Sequence, residues 1–306
     1  MRRLVALVVV FTMVPMSAAW ATDLDELLER GQSATYSAEQ VISCSTPDGV
    51  RDAVVNIDQA GGELRVTSSF ADDVEVSSGA GAWSLSRHGG LVEEMVIDAG
   101  NSNSELLYTV EDLGTVQFLG REAMAFRLLR GDELRAELIL DDETGALVMV
   151  TTFEADGEVY CERRFISLDT EPPALAEKFS TAQGTSPSPV EESGLALEVA
   201  GFERLDHYED EEGVRFTYYS DGFFSFAVFE TPTEVSIPDP TEVVFDSGSY
   251  ERSFTAGQVM FVWETRDGGM ALVGDLPPDL HETVLADMPH PQDPGLFRRF
   301  WRALFG

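Results

Sequence analysis

The residues that could carry chemistry are few, and they form no known catalytic pattern. His281 and Glu282 begin the His-Glu-x-x-His string of zinc proteases, but position 285 is leucine, so the second histidine ligand is missing. The sequence contains no Gly-x-Ser-x-Gly nucleophile turn. Neither Cys44 nor Cys161 has neighbours typical of a catalytic thiol. We therefore predict a protein that is not an enzyme and that needs no metal and no cofactor.

The net charge excludes a further class of function. The 306 residues include 55 Asp and Glu but only 20 Lys and Arg, which gives a formal charge of −35. Such a chain repels phosphate backbones, so nucleic acid is not an expected partner. The acidic runs lack the alternating acids and the glycine of a calcium loop, and we interpret them as solvated turns, with weak calcium binding as the alternative. They are Asp72-Asp73, Asp141–Glu143 and Glu209–Glu212.

The first 21 residues predict export. Arg2 and Arg3 precede the apolar run 4–16, and Ala19 and Ala21 occupy the small-residue positions of a cleavage site before Thr22. An uncleaved membrane anchor is the alternative, but the apolar run is shorter than the roughly 20 residues that span a bilayer. We predict a signal peptide at 1–21 and a secreted, extracytoplasmic protein in the periplasm or the cell-wall space. The loss of two arginines takes the formal charge from −35 to −37.

Export also bears on Cys44 and Cys161, because an even number of cysteines in an exported chain predicts a disulfide. The bridge would close 117 residues of chain. The chain-entropy model assigns a loop of that length roughly 4–5 kcal/mol. Two free, buried thiols are the alternative.

Residues 22–170 predict a first domain built from one helix and a series of strands. The helix, Asp23–Gly31, has acids in its first turn and an apolar face formed by Leu24, Leu27 and Leu28. Short strands joined by tight turns then predict one antiparallel meander. We expect a half-open antiparallel β-barrel closed by the helix, with a concave face that could bind an acyl chain. The residues predicted to line this cleft are Phe70, Trp83, Phe118, Phe126, Met149 and Phe153.

Residues 171–194 are rich in Pro, Ser and Gly and predict a linker. Residues 195–290 then predict a smaller antiparallel β domain with a terminal helix, so the whole chain is mostly β (α+β). In the hairpin Val214–Glu230, two aromatic-rich runs flank Ser220-Asp221-Gly222, and Asp-Gly is a strong hairpin signal. Alternation places Phe224, Phe226 and Val228 on one face and Ser225, Ala227 and Phe229 on the other.

The tail 291–306 is basic on an otherwise acidic chain. Its apolar residues share one helical face and its arginines the other, which is typical of a segment that binds a membrane surface or a partner's groove. Docking on the acidic body of the protein itself is the alternative. The residues predicted to act here are Phe297, Arg298, Arg299, Phe300, Trp301 and Arg302.

Several of these stretches resemble the MucB/RseB family of sigma-E factor regulatory proteins. Tyr219-Ser220-Asp221-Gly222 with the aromatic strand after it, and then Val273–Pro278, resemble the carboxy-terminal domain of that family in the same order. Leu119–Ala123 and Ile139–Leu147 resemble the LolA-type lipoprotein-carrier fold of its amino-terminal domain. The strong acidity and the aromatic tail are departures from the family's best-known Gram-negative members.

The resemblance implies a negative regulator of a sigma factor pathway in a stress response. Such a protein binds the exported segment of a membrane anti-sigma factor and shields it from regulatory proteolysis, while the first domain senses a lipid or lipoprotein acyl chain. The residues predicted to bind the partner are Tyr219, Phe223, Phe224 and Phe226. Each of these, and each cleft residue, could equally be an ordinary core residue. An extracytoplasmic lipid or lipoprotein carrier is the alternative function, and an envelope protein held by its tail is a third.

Overall fold

The computed structural model describes residues 22–60, 63–68, 74–79, 82–87, 95–98, 107–173, 188–189, 194–209, 213–232, 235–237, 240–255, 257–266 and 268–292. In these residues two antiparallel sheets follow one another along the chain, and one helix accompanies each sheet. No described helix is long and apolar enough to cross a membrane. The predicted signal peptide and most of the predicted tail lie outside the described residues.

The first sheet follows helix α1 and has eleven strands. Their order in the sheet is β6-β5-β4-β3-β2-β1-β11-β10-β9-β8-β7. The elements are α1 (Thr22–Ser33), β1 (Tyr36–Thr46), β2 (Gly49–Ala60), β3 (Glu63–Ser68), β4 (Val74–Gly79), β5 (Ala82–Arg87), β6 (Met95–Asp98), β7 (Thr109–Phe118), β8 (Arg121–Arg130), β9 (Glu133–Asp141), β10 (Leu147–Phe153) and β11 (Val159–Asp169). The first and last strands of this sheet are therefore neighbours at its centre, while β6 and β7 form its two edges.

The second sheet has nine strands in the order β12-β14-β15-β16-β20-β19-β18-β17, and β13 pairs separately with β14. Its elements are β12 (Ser188–Pro189), β13 (Glu198–Val199), β14 (Phe202–Glu209), β15 (Arg215–Ser220), β16 (Ser225–Thr231), β17 (Thr241–Phe245), β18 (Gly248–Thr255), β19 (Gln258–Glu264), β20 (Gly269–Gly274) and α2 (Pro278–Ala286). Strand β12 lies inside the predicted linker.

The central strands of the second sheet are apolar on both faces because both faces are covered. Phe226 and Val228 face one cluster, which includes Val284 and Leu285 of α2. Phe229 faces a second cluster, which includes Ile237 of a connecting segment. The hairpin and the predicted alternation of its second strand are therefore confirmed.

The mostly β, antiparallel fold class is confirmed. The strands of the first sheet form no closed barrel in the described residues, and the half-open barrel stays a prediction. The domain limits at 170 and 195 also stay predictions.

The predicted disulfide is present. Cys44 and Cys161 are directly paired residues of β1 and β11, with an S–S distance of 2.03 Å. The bridge therefore joins two neighbouring central strands of the first sheet across the whole length of chain between them.

Candidate functional site: the covered apolar face of the first sheet

One apolar face of the first sheet lies beneath helix α1. Phe126 of β8 pairs with Leu138 of β9, which pairs with Val150 of β10, so their side chains point to the same side of the sheet. On that side they form a cluster with Leu24 and Leu27 of α1, and the exposure of Phe126 is 0%. The predicted apolar face of the helix thus covers part of the predicted cleft.

A glycine lets α1 approach the sheet closely. Gly145 follows the turn between β9 and β10 with φ +70°, and a Cβ there would lie 2.0 Å from the carbonyl oxygen of Leu27. A side chain at position 145 is therefore incompatible with the helix in this position. The guanidinium of Arg30 donates to the carbonyl oxygen of Asp142 and secures the helix end.

Asp141 holds the turn that carries Gly145. Its carboxylate accepts hydrogen bonds from Arg121 Nε at 2.6 Å and from the backbone N–H and Oγ1 of Thr144 at 2.9 and 2.8 Å. Burial alone would raise the pKa of Asp141, but the hydrogen bonds from Arg121 and Thr144 outweigh it and lower this pKa below its usual value. The Asp-x-x-Thr-Gly motif thus forms the rigid turn on which α1 rests.

The turn between β15 and β16 covers another part of the same face. Phe223 is half-buried and packs against the cluster beneath α1, and its ring meets the ring of Tyr108 edge to face at a centroid distance of 5.9 Å. The hydroxyl of Tyr108 donates to Asp221 Oδ2 at 2.6 Å in a buried hydrogen bond. The second sheet therefore reaches the first one through the tip of its aromatic hairpin.

Asp221 has two tasks in this contact. Its Oδ1 accepts hydrogen bonds from the backbone N–H groups of Phe223 and Phe224 at 2.9 and 2.8 Å and fixes the turn. Its Oδ2 accepts the hydrogen bond from the Tyr108 hydroxyl and lies 3.8 Å from the guanidinium of Arg130 in the first sheet. Burial raises the pKa of Asp221, although these hydrogen bonds and Arg130 oppose the shift. The carboxylate is thus shared between its own turn and the first sheet.

A second contact lies at the end of β20. Arg163 of β11 donates to the carbonyl oxygen of Gly257 at 2.9 Å and lies 3.8 Å from Asp275. Asp275 also accepts a hydrogen bond from the backbone N–H of Ser225 at 2.9 Å. Burial raises the pKa of Asp275 to about 6, while Arg163 and the Ser225 N–H act in the opposite direction.

Two further ion pairs link the sheets. The guanidinium of Arg135 is 2% exposed and donates to both carboxylate oxygens of Asp279 in the first turn of α2, at 2.7 and 3.3 Å. It also lies 5.5 Å from the centre of the Phe224 ring. Arg252 of β18 donates to Asp48 in the turn after β1, at 3.2 Å. The described contact between the sheets thus contains ion pairs of Arg130, Arg135, Arg163 and Arg252 beside the packing of Phe223.

The predicted cleft residues do not share one face. Phe118 pairs with Arg121, and Met149 pairs with Ile139. The strand register therefore places Phe118 and Met149 on the other face of the sheet from Phe126. Prediction of the face from sequence was wrong for these two because bulges in β7 and β10 shift the alternation.

The remaining three cleft residues have separate outcomes. Phe153 is buried near the end of β10 and belongs to none of the apolar clusters of the described residues. Trp83 lies in β5, whose side chains are outside the described part, and Phe70 is outside it altogether. Of the four cleft residues whose side chains the structure describes, Phe126 alone is placed beneath α1.

Three of the four predicted partner-binding residues are core residues. Tyr219, Phe224 and Phe226 are 0%, 1% and 0% exposed, and all belong to the cluster that packs against α2. Their aromatic side chains are buried because the hairpin lies in the middle of the sheet, so they form no outer surface here. Phe223, at the tip, packs against the apolar cluster of the first sheet, and the Phe224 ring lies beneath Arg135 of that sheet.

The six predicted tail residues lie outside the described part of the chain. The segment just before them is held firmly against the second sheet. Trp263 Nε1 donates to the carbonyl oxygen of Pro289 at 2.8 Å, and His290 Nδ1 donates to that of Ser247 at 2.9 Å. The backbone N–H of Gln292 donates to the backbone carbonyl oxygen of Glu264 at 2.9 Å. The chain therefore leaves the second sheet from a fixed point.

Sequence reasoning missed the contact between the sheets, although it singled out both of the motifs that form it. Asp221 belongs to the Tyr-Ser-Asp-Gly stretch, and Asp275 belongs to the Val-Gly-Asp stretch before α2. The clue was an acid inside an otherwise apolar, buried motif. Nothing local marked Tyr108, Arg130 or Arg163 as their partners.

No family model matches the sequence, and no curated protein was found to match it. Solved structures do match. A crystal structure of MucB in complex with MucA(peri) has a TM-score of 0.54 and 20% identity over 89% of this chain and 98% of that chain. The complex structure of Pseudomonas aeruginosa MucA/MucB has a TM-score of 0.54 and 18% identity over 89% and 100%. A crystal structure of MucB has a TM-score of 0.53 and 18% identity over 87% and 98%. The chain therefore has a MucB-like fold over almost its whole length.

Proposed function

We propose that this protein is an extracytoplasmic negative regulator of a sigma factor pathway. It binds the exported segment of a membrane anti-sigma factor and shields that segment from regulatory proteolysis. The observation that carries the proposal is the fold, which matches MucB solved together with MucA over 89% of this chain. The two motifs that resemble the family in sequence supply Asp221 and Asp275 to the contact between the sheets, which agrees with a shared architecture.

The ligand site of this proposal is the apolar face beneath α1. In the part of the chain that the structure describes, the face is covered by the short helix α1 and by turns of the second sheet, so a modest movement would expose a surface suited to an acyl chain. The proposal includes a half-open curvature of the first sheet around this face.

The tail is proposed to hold the protein near the membrane. Its arginines and aromatic residues would bind the lipid surface, and the pinned segment 289–292 would fix the second sheet to that anchor.

A pull-down tests the proposal. The mature chain, residues 22–306, is immobilised and exposed to detergent-solubilised host membranes, and bound proteins and lipids are identified by mass spectrometry. We expect a membrane protein with a short cytoplasmic sigma-binding domain. A chain ending at Gln292 is the control that separates partner capture from adhesion through the tail.

A lipid or lipoprotein carrier is the second candidate, and the apolar face beneath α1 favours it. Bound acyl chains without any anti-sigma factor in the pull-down would support the carrier and contradict the regulator. Sequencing of the mature amino terminus tests export, with Thr22 as the expected first residue.

A further inference from the structure

Three parts of the chain cover the apolar face of the first sheet. Helix α1 covers it with Leu24 and Leu27, and the Asp221–Phe224 turn covers it with Phe223. The third is the turn between β18 and β19, where Gly257 lies against Arg163 and Ile42. Two of the three covers thus belong to the second sheet.

The two kinds of cover are attached differently. Helix α1 is seated on the Gly145 turn, and its leucines are part of the buried cluster. The turns of the second sheet are attached mainly through polar groups, among them the Tyr108–Asp221 hydrogen bond and the Arg163–Asp275 and Arg135–Asp279 pairs. Contacts of this kind between parts of a chain resemble transient interfaces, and opened charges regain water. We therefore expect the second sheet, rather than helix α1, to separate from the apolar face of the first sheet.

We propose that the Asp221–Phe224 turn is an autoinhibitory plug. While the sheets are in contact, Phe223 occupies the apolar face, and a single acyl chain binds there only after the turn has withdrawn. This inference rests on the ligand site of the proposed function and adds its regulation.

The coupling is reciprocal. An acyl chain that binds only the open form shifts the population toward that form, and anything that opens the contact raises the apparent affinity for the acyl chain. The apparent dissociation constant equals the intrinsic one divided by the open fraction. Removing one link of the plug therefore strengthens acyl binding.

Two variants and two matched controls test this in the mature full-length chain. Tyr108→Phe removes the hydroxyl that donates to Asp221 and keeps the ring, while Phe223→Ala removes the plug side chain. Tyr250→Phe is the control for the first, because the Tyr250 hydroxyl bonds Ser247 within the second sheet at 2.9 Å. Phe245→Ala is the control for the second, because Phe245 is a half-buried aromatic residue of the second sheet alone.

The measurement is a fluorescence titration with a dansyl-labelled fatty acid. We expect Tyr108→Phe and Phe223→Ala to bind it roughly five- to tenfold more tightly than the wild type, which is the effect of one lost hydrogen bond or contact on the open fraction. Both controls should match the wild type.

Equal affinity in the wild type, both variants and both controls would overturn the plug and leave the acyl site of the proposed function standing. Absence of binding even in Phe223→Ala would overturn the plug together with that acyl site. The pull-down tests binding of the anti-sigma factor independently of the plug, since capture of this partner needs no fatty acid. A triacylated lipopeptide in a parallel titration distinguishes the sources: tighter binding than the free fatty acid assigns the site to lipoproteins.

Discussion

The two sheets bury their apolar faces in different ways. The second sheet packs Phe226, Phe261 and Leu272 against its own helix α2 and its own entering segment, so its core is complete within residues 195–288. The first sheet covers part of its face with α1 and another part with Phe223, which lies 73 positions beyond Val150 and 97 positions beyond Phe126 in the chain. A self-contained core stabilises a scaffold. A face that is covered in part by a residue of the other sheet could be occupied by another apolar molecule once that residue has moved away.

The largest expected effect comes from the disulfide, which lies in the first sheet alone. Reducing the Cys44–Cys161 bridge, or replacing both residues by alanine, should lower the free energy of unfolding by roughly 4–5 kcal/mol, because the bridge closes 117 residues. Urea denaturation with and without reductant measures this. If the second core is independent, protection of its amide protons from hydrogen exchange should persist when the first sheet is lost. Simultaneous loss of protection in both sheets would break the comparison.

The second prediction addresses the self-contained core. Phe261→Ala removes a side chain of 0% exposure and should cost roughly 3–5 kcal/mol, since a buried cavity remains. The matched change Phe245→Ala, at the half-buried edge of the same cluster, should cost clearly less. Urea midpoints of the two variants are the measurement. Equal losses would mean that the cluster is not packed around β19.

The third prediction uses His281, a buried histidine of the second core. Its Nε2 donates to the carbonyl oxygen of Leu276 at 3.0 Å, and its ring lies edge to face with Phe261. Burial lowers the pKa of His281 to about 4; Arg252 lowers it further, while Leu276 and Asp279 oppose the shift. Below pH 6.5 the unfolded chain binds a proton that the folded chain does not, so stability falls as the pH falls from about 6.5 to about 4, by up to roughly 3 kcal/mol. His281→Gln should abolish this loss.

An effect of similar size and opposite sign belongs to Asp275 at the contact between the sheets. It faces Arg163, the Ser225 N–H, Asp221 and the hydroxyls of Tyr160 and Tyr218. Its pKa of about 6 exceeds that of an exposed aspartate, so the folded chain binds the extra proton. This contribution is present below about pH 4 and is lost as the pH rises through 6, by up to roughly 3 kcal/mol.

The two slopes can be separated by variants. In His281→Gln, stability should increase on acidification from pH 6 to pH 4, and in Asp275→Asn it should decrease more steeply than in the wild type. Urea denaturation followed by circular dichroism at several pH values measures both. An unchanged slope in Asp275→Asn would show that this carboxylate is already hydrated.

Local pattern predicted the elements well where one face is buried. The hairpin around Asp221, the alternation of Phe226 and Phe229, and both helices follow from spacing and turn residues. The meander was predicted, but the pattern indicated no strand at Val74–Gly79 and only Val116–Phe118 of β7, because these residues do not alternate cleanly between polar and apolar. The face of Phe118 failed because a bulge changes parity without any marker in sequence.

The site was less predictable than the fold. Sequence marks Tyr219 and Phe226 as aromatic and apolar, but it does not say whether the apolar surface meets a partner or the molecule's own core. That depends on which strands lie at the centre of the sheet, which is a long-range property. The same holds for Asp221: its turn was visible, while Tyr108 lies 113 residues away.

The strand order of the first sheet limits its shape. Consecutive strands β6 and β7 are the two edges, ten strand spacings apart, which is about 48 Å across a flat sheet. Asp98 and Thr109, which end and begin these strands, are joined by a stretch that reaches about 38 Å even when fully extended. In a flat sheet the connection would be too short to join the two edges. The sheet must therefore bend far enough to bring β6 and β7 within that distance of each other. The strand connectivity therefore gives the sheet a concave face in the absence of any ligand.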